Sequence, residues 1–168
     1  VMGYSLGGHI AQAFTLSYPD KVNRLILVAT TCGGKDGIPK PPEFIKFQAE
    51  IVNKSQNNVS LSAEDIKTLN VASLGSGWIK LHPESLEGFG NITSLQQLKP
   101  GLPPETEKNQ ANLVAWEATN WSGACDELAK IAKPTLVITG TDDNKLVPYV
   151  NSLKIVEKFP QVIIGRAP

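Results

Sequence analysis

The sequence predicts an α/β protein, with parallel strands, flanking helices and an inserted helical segment. Three observations carry this. A serine between glycines, Gly3-Tyr4-Ser5-Leu6-Gly7, joins a short apolar stretch to a helical pattern. Two apolar runs, Arg24 to Ala29 and Pro134 to Gly140, read as strands covered on both faces, as in parallel sheets. Between them the chain is punctuated by glycine and proline and shows helical but no strand patterning.

Val1 to Tyr4 is too short to stand as a strand but fits the tail of one. Ile10, Ala11, Ala13, Phe14 and Leu16 then give a helical apolar face. Tyr18-Pro19-Asp20 ends that helix, because proline pushes the preceding residue out of the α region. In the inserted segment, Glu43 to Ser55 is a helix opened by Pro41-Pro42. Ser62 is suited to cap a helix over Ala63 to Asn70, with Glu64 and Asp65 favourable in its first turn. Pro104 to Asn120 is a third helix. Asp126 to Ala132 is then a short helix, Pro134 to Gly140 a strand, Thr141 to Asn144 a turn, and Pro148 to Lys158 a helix. Gln161 to Gly165 begins a further strand, so strands and helices alternate at both ends. The domain reading is core at 1–31, helical cap at 32–125 and core again at 126–168.

Composition excludes several function classes. The net charge is +0, with 16 Lys and Arg scattered among 16 Asp and Glu, so no basic stripe for nucleic acid or an anionic membrane is present. No apolar run approaches the roughly 18 residues of a spanning helix. Cys32 and Cys125 make no disulfide framework and are expected to be partly buried thiols in a reducing, cytoplasmic setting. No Cys/His cluster has metal-ligand spacing, and neither metal nor cofactor is expected.

Gly3 to Gly7 carries the chemistry. A serine hydroxyl is a poor nucleophile unless a base takes its proton and the backbone exposes it. A sharp strand-to-helix turn exposes it at the cost of strained dihedrals, and Gly3 and Gly7 are expected to make the space for that turn. The Leu6 backbone N–H would be an oxyanion donor, a contribution of roughly 3–4 kcal/mol in the transition state. A phosphate loop is the rival glycine motif. Gly3 and Gly8 have its spacing, but His9 and Ile10 stand where Lys and Ser/Thr are needed.

The stretches "GYSLGGHIAQAFTLSYPDKVNRLILVAT" and "KPTLVITGTDDNKLVPYVNSLKIVEKFP" resemble the two parts that flank the cap of α/β-hydrolase-fold proteins, in the serine esterase and acyltransferase-like branch. The resemblance implies Ser5 as nucleophile and Asp143, the third residue after Gly140, as the triad acid, with Asp142 as its rival. It also implies a base histidine after the last strand. The chain's two histidines lie elsewhere: His9 in the first turn of the elbow helix, without the reach of a loop-borne base, and His82 in the cap. By this resemblance the chain is a C-terminal fragment beginning at the nucleophile elbow, and alone is expected to lack ordinary triad turnover. The implied substrate is a small acyl or ester molecule, and the same triad serves ester hydrolysis, carbon–carbon hydrolysis, haloperoxidase chemistry and acyl transfer. Serine at position 5 argues against haloalkane dehalogenation, which needs a carboxylate there. The alternative is a hydrolase-fold binding or scaffold protein, or a decayed gene product. Trp78, Phe89, Trp116 and Trp121 are candidates for an apolar acyl pocket, although packing of the cap helices accounts for most such residues.

Overall fold

A computed structural model describes residues 1–57, 59–86, 121–159 and 162–167. Strands β1 (Met2–Tyr4), β2 (Leu25–Val28), β3 (Thr135–Gly140) and β4 (Val162–Ala167) form one sheet in that order, every pair parallel. The register sets Met2 beside Ile26, Leu25 beside Thr135, and Thr135 beside Val162. Parallel neighbours cannot be joined by a hairpin, so each connection carries helix. Helix α1 (Leu6–Ser17) lies between β1 and β2. Helices α2 (Pro42–Gln56), α3 (Ala63–Leu74) and α4 (Ser76–Leu81) lie between β2 and β3, and α5 (Val150–Lys158) between β3 and β4.

The core forms where α1 and α5 cover one face of the sheet. Leu25, Leu27 and Val137 point to that face and meet Ala11 from α1, Ile155 from α5, and Leu128, Ile131 and Phe159. Leu25, Leu27, Leu128 and Ile155 are fully buried, each contributing roughly 1.5–3 kcal/mol of transfer free energy. The opposite face of β2 and β3 (Ile26, Val28, Leu136, Ile138) is only half-buried. The expectation of strands covered on both faces is corrected to one covered face among the described residues.

Ser62 caps α3 as its sequence predicts. Its Oγ accepts from the Asp65 backbone N–H at 3.1 Å, and its own backbone N–H donates to Asp65 Oδ2 at 2.7 Å, a reciprocal capping box. Lys54 Nζ adds a 2.7 Å bond to the same carboxylate. Hydrogen bonds from Lys54 and Ser62 hold the Asp65 carboxyl down at about 2. Helix α3 continues to Leu74, beyond the expected Asn70, and Gly75 at φ 80° turns the chain directly into α4. The sequence reading missed α4, whose six residues are too few to show a period. It overstated Asp126 to Ala132, where the observed element is a single 3₁₀ turn, Leu128–Lys130. The expected helix over Pro104 to Asn120 lies outside the described residues.

The cysteines are also corrected. Cys32 and Cys125 are joined in a disulfide, with Cα atoms 5.0 Å apart and both residues buried. They sit where the chain leaves the sheet after β2 and where it returns before β3, and the Ala124 N–H donates to the Cys32 carbonyl at 2.8 Å beside them. A separation of 93 residues gave no local spacing from which to read the pair. The pairing also removes the free-thiol argument for a reducing compartment. Among the described residues, no helix is long and apolar enough to cross a membrane.

Candidate active site

The site lies at the C-terminal ends of the strands, where parallel sheets present their loops. Ser5 stands between β1 and α1 at φ 50° and ψ −120°, a conformation that costs a non-glycine residue of order 1–3 kcal/mol. Neighbouring backbone holds it there. The Ser5 N–H donates to the Val28 carbonyl at 2.9 Å, continuing the β1–β2 ladder by one residue. The Ser5 carbonyl accepts from the Gly8 N–H at 2.9 Å and from Thr30 Oγ1 at 2.8 Å. Leu6 is the first residue of α1, so its N–H is among the four that a helix cannot use internally.

The glycines divide differently from the expectation. A Cβ on Gly3 would overlap the Gly7 carbonyl, so a side chain at position 3 is incompatible with this turn. A Cβ on Gly7 would meet nothing within 4 Å among the described residues, so crowding does not explain that glycine. The second crowded position is Gly8, where a Cβ would run into the Thr30 side chain. Gly8 therefore lets α1 approach the end of β2. Gln12, fully buried, fastens the same junction by donating to the Gly8 carbonyl at 3.0 Å and to the Thr31 carbonyl at 2.8 Å.

Ser5 opens into a cavity of about 450 Å³. Ser5, Leu6, His9, Asp142 and Asp143 line it from the sheet side, and Lys40 with the Ala72–Gly75 junction from the helical segment. Ala29 also lines it, at φ 44°, so the ends of β1 and β2 each present a strained non-glycine residue to the same space. Sequence reasoning missed Ala29 and Lys40, because nothing local marks either.

The two candidate aspartates part company here. Asp143 is half-buried, and its Oδ1 accepts from the backbone N–H groups of Leu146 at 3.2 Å and Val147 at 3.1 Å. Burial pushes its carboxyl above the usual value, opposed by those backbone bonds and by Lys40. Asp142 is exposed, and its Oδ2 accepts from the Gly77 N–H at 2.9 Å and from Ser76 Oγ at 3.3 Å, in the helical segment. Lys40 is half-buried, its Nζ donating to Gln48 Oε1 at 2.9 Å. Among the described residues it makes no ion pair. Burial lowers its affinity for the proton, and the charge of Asp143 partly restores it.

His9 lines the cavity with its Nε2 3.0 Å from Thr31 Oγ1 and its ring centroid 5.1 Å from that of Trp121. His82 is outside the cavity lining, stacked on Trp78 at 4.1 Å and 3.2 Å from Glu84 Oε1. Of the acyl-pocket candidates, neither Trp78 nor Trp121 lines the Ser5 cavity. Trp78 is exposed, and Trp121 borders a separate groove with Ile10, Phe14 and Tyr18 of the α1 region. Phe89 and Trp116 lie outside the described residues. Among those residues no group of His, Cys, Asp and Glu could hold a metal ion.

Residues 1–165 match the family model of the alpha/beta hydrolase fold. The chain belongs to the α/β-hydrolase family. It is 47% identical over 177 residues to a 2-hydroxy-6-oxononadienedioate/2-hydroxy-6-oxononatrienedioate hydrolase of Paraburkholderia phymatum, covering 99% of this chain and 54% of that protein. It is 28% identical over 167 residues to a poly(3-hydroxyalkanoate) depolymerase of Ectopseudomonas oleovorans, covering 95% and 50%. Among solved structures, a meta-cleavage product hydrolase from Pseudomonas fluorescens superposes with a TM-score of 0.60 at 16% identity, over 98% of this chain and 54% of that one, a likeness of fold. The chain spans about half the length of the curated relatives it matches.

Proposed function

We propose that this protein is a serine hydrolase that cleaves an acyl bond through attack by Ser5. The observation that carries the reading is the backbone of Ser5, held at φ 50° at a strand–helix junction facing a cavity shared with Asp143. A strained residue persists only where its surroundings over-determine it, and such residues cluster at working sites. In this reading Ser5 Oγ adds to the acyl carbon, and the Leu6 N–H at the α1 N-terminus stabilises the oxyanion. The leaving group departs with a proton from the base, and water then releases the acyl group from Ser5 Oγ. Asp143 orients and stabilises a protonated histidine. That histidine is neither His9, which is anchored beside Thr31, nor His82, which lies outside the cavity lining. Residues 162–168 contain none.

Lys40 favours a substrate that carries a carboxylate. Lys40 lines the cavity, its one hydrogen-bond partner among the described residues is the neutral Gln48, and a partly desolvated charge is stabilised by a counter-charge. The dioate substrates in the name of the Paraburkholderia phymatum relative agree with this. They favour carbon–carbon hydrolysis over the simple ester cleavage that the depolymerase relative would suggest.

The test uses protein expressed from its complete coding sequence, comparing a 2-hydroxy-6-oxo dienedioate with a neutral p-nitrophenyl ester. The proposal predicts turnover that Ser5→Ala abolishes, and a preference for the dianion that Lys40→Met reduces. Turnover that survives Ser5→Ala would overturn it, and absence of any turnover would favour the non-catalytic reading.

A further inference from the structure

We propose that Asp142 is the residue that holds the roof of the Ser5 cavity in place, a positioning role distinct from that of its neighbour Asp143. Asp142 follows β3 in the sheet's own loop, yet its carboxylate is spent on the helical segment 65 residues away. Oδ2 accepts from the Gly77 N–H at 2.9 Å and from the Ser76 hydroxyl at 3.3 Å. These residues open α4, so the carboxylate meets one N–H, that of Gly77, which the helix cannot satisfy internally.

The local backbone is shaped around this contact. Gly75 adopts φ 80°, which turns the chain from α3 into α4. A Cβ there would sit 3.4 Å from the Asp142 Cβ, and a Cβ on Gly77 would sit 3.1 Å from Oδ2, tighter than ordinary contact. The run Gly75-Ser76-Gly77 thus supplies two donors and leaves room for one carboxylate.

The contact lies at the cavity rim. Ala72 to Gly75 line the same cavity as Ser5 and Leu6, and Asp142 is itself a lining residue. Among the described residues, further ties between the helical segment and the core lie near its start. Asn151 exchanges hydrogen bonds with Ile38 at 2.7 and 3.1 Å, Lys154 donates to the Asp36 carbonyl at 2.9 Å, and the disulfide lies at Cys32. Helices α3 and α4 stand far from those ties along the chain, and Asp142 fastens them to the sheet. Loss of the contact frees the roof and alters which acyl groups reach Ser5. That consequence rests on the proposed role of Ser5, whereas the latch itself does not.

The experiment compares wild type, Asp142→Ala, Asp142→Asn and Gly77→Ala, each expressed from the complete coding sequence. Hydrogen exchange read by mass spectrometry follows residues 72–81 against the strands β2 and β3. Asp142→Ala is expected to speed exchange in 72–81 by about tenfold while the strands are unchanged. Gly77→Ala, which keeps the carboxylate but crowds it, is expected to shift in the same direction. A second readout is the ratio of Ser5 labelling by long-chain and short-chain alkyl fluorophosphonates. Asp142→Ala should raise that ratio, and Asp142→Asn, which keeps an acceptor oxygen for the Gly77 N–H, should restore it toward wild type. Unchanged exchange in 72–81 in both Asp142→Ala and Gly77→Ala, or a labelling ratio indifferent to Asp142, would overturn the proposal. If neither probe labels Ser5, the nucleophile assignment fails and the exchange data alone decide the latch.

Discussion

Thr30 Oγ1 donates to the Ser5 carbonyl at 2.8 Å, so the chain just past β2 grips the strained serine just past β1. Thr30 is buried, and its methyl and hydroxyl also fill the space that Gly8 leaves open. Replacing it with the near-isosteric valine removes the hydrogen bond while keeping the volume. Thr30→Val is expected to lose about 1 kcal/mol, seen as a lower urea midpoint with unchanged slope. It is also expected to slow fluorophosphonate labelling of Ser5, because a donor to the Ser5 carbonyl is gone.

The elbow glycines should separate by sign. Gly3→Ala places a methyl on the Gly7 carbonyl and is expected to cost about 3 kcal/mol or more, as overpacking against backbone does. Gly7→Ala enters open space inside α1 and is expected to be neutral or stabilising by up to about 1 kcal/mol, since alanine suits a helix better than glycine. Denaturant unfolding of the two variants checks this, and equal losses would mean that the turn is built differently.

The Cys32–Cys125 bond closes a loop that contains the helical segment α2 to α4. Its reduction, or the Cys32→Ala/Cys125→Ala pair, is expected to cost about 2–4 kcal/mol, mostly by loosening the unfolded chain. Intact mass before and after reduction shows the bond, and unfolding with and without a reductant shows its effect. Neither Cys32 nor Cys125 should react with a thiol reagent in the unreduced protein.

Much of this was legible in the sequence, for stated physical reasons. The parallel strands announce themselves as apolar runs, and the Ser62 cap has its acidic partner three residues on. Ser5 is marked by its glycines. What escaped are relationships that only the folded chain creates. Cys32 and Cys125 are adjacent in space and remote in sequence, and Lys40 and Asp143, likewise remote, line one cavity. Asp142 and Asp143, neighbours and rivals in a Thr-Asp-Asp-Asn turn, have different partners in the folded chain. Gly7 shares the motif's spacing with Gly3 yet is uncrowded among the described residues, because spacing alone does not tell which member meets its neighbours.

Asp143 gives a pH test with a definite sign. Burial raises its carboxyl above the ordinary 3.8, so the native state binds that proton more tightly than the unfolded chain does. Its contribution to stability is therefore greatest below 3.8 and is lost as the pH rises through its native value. Asp143→Asn keeps an oxygen for the Leu146 and Val147 N–H groups without the charge. Relative to wild type, the variant is expected to gain stability as the pH rises from about 3 to 7, while losing acyl turnover. A stability difference that moves the other way would mean that the carboxylate is net stabilised in the fold.

Whether Ser5 is an activated nucleophile is measured most directly by labelling the protein from its complete coding sequence with a fluorophosphonate and mapping the adduct by peptide mass spectrometry. The expected result is one adduct on the peptide that contains Ser5, absent in Ser5→Ala and slowed in Asp143→Asn. No adduct at Ser5, or equal labelling in Ser5→Ala, would contradict the assignment.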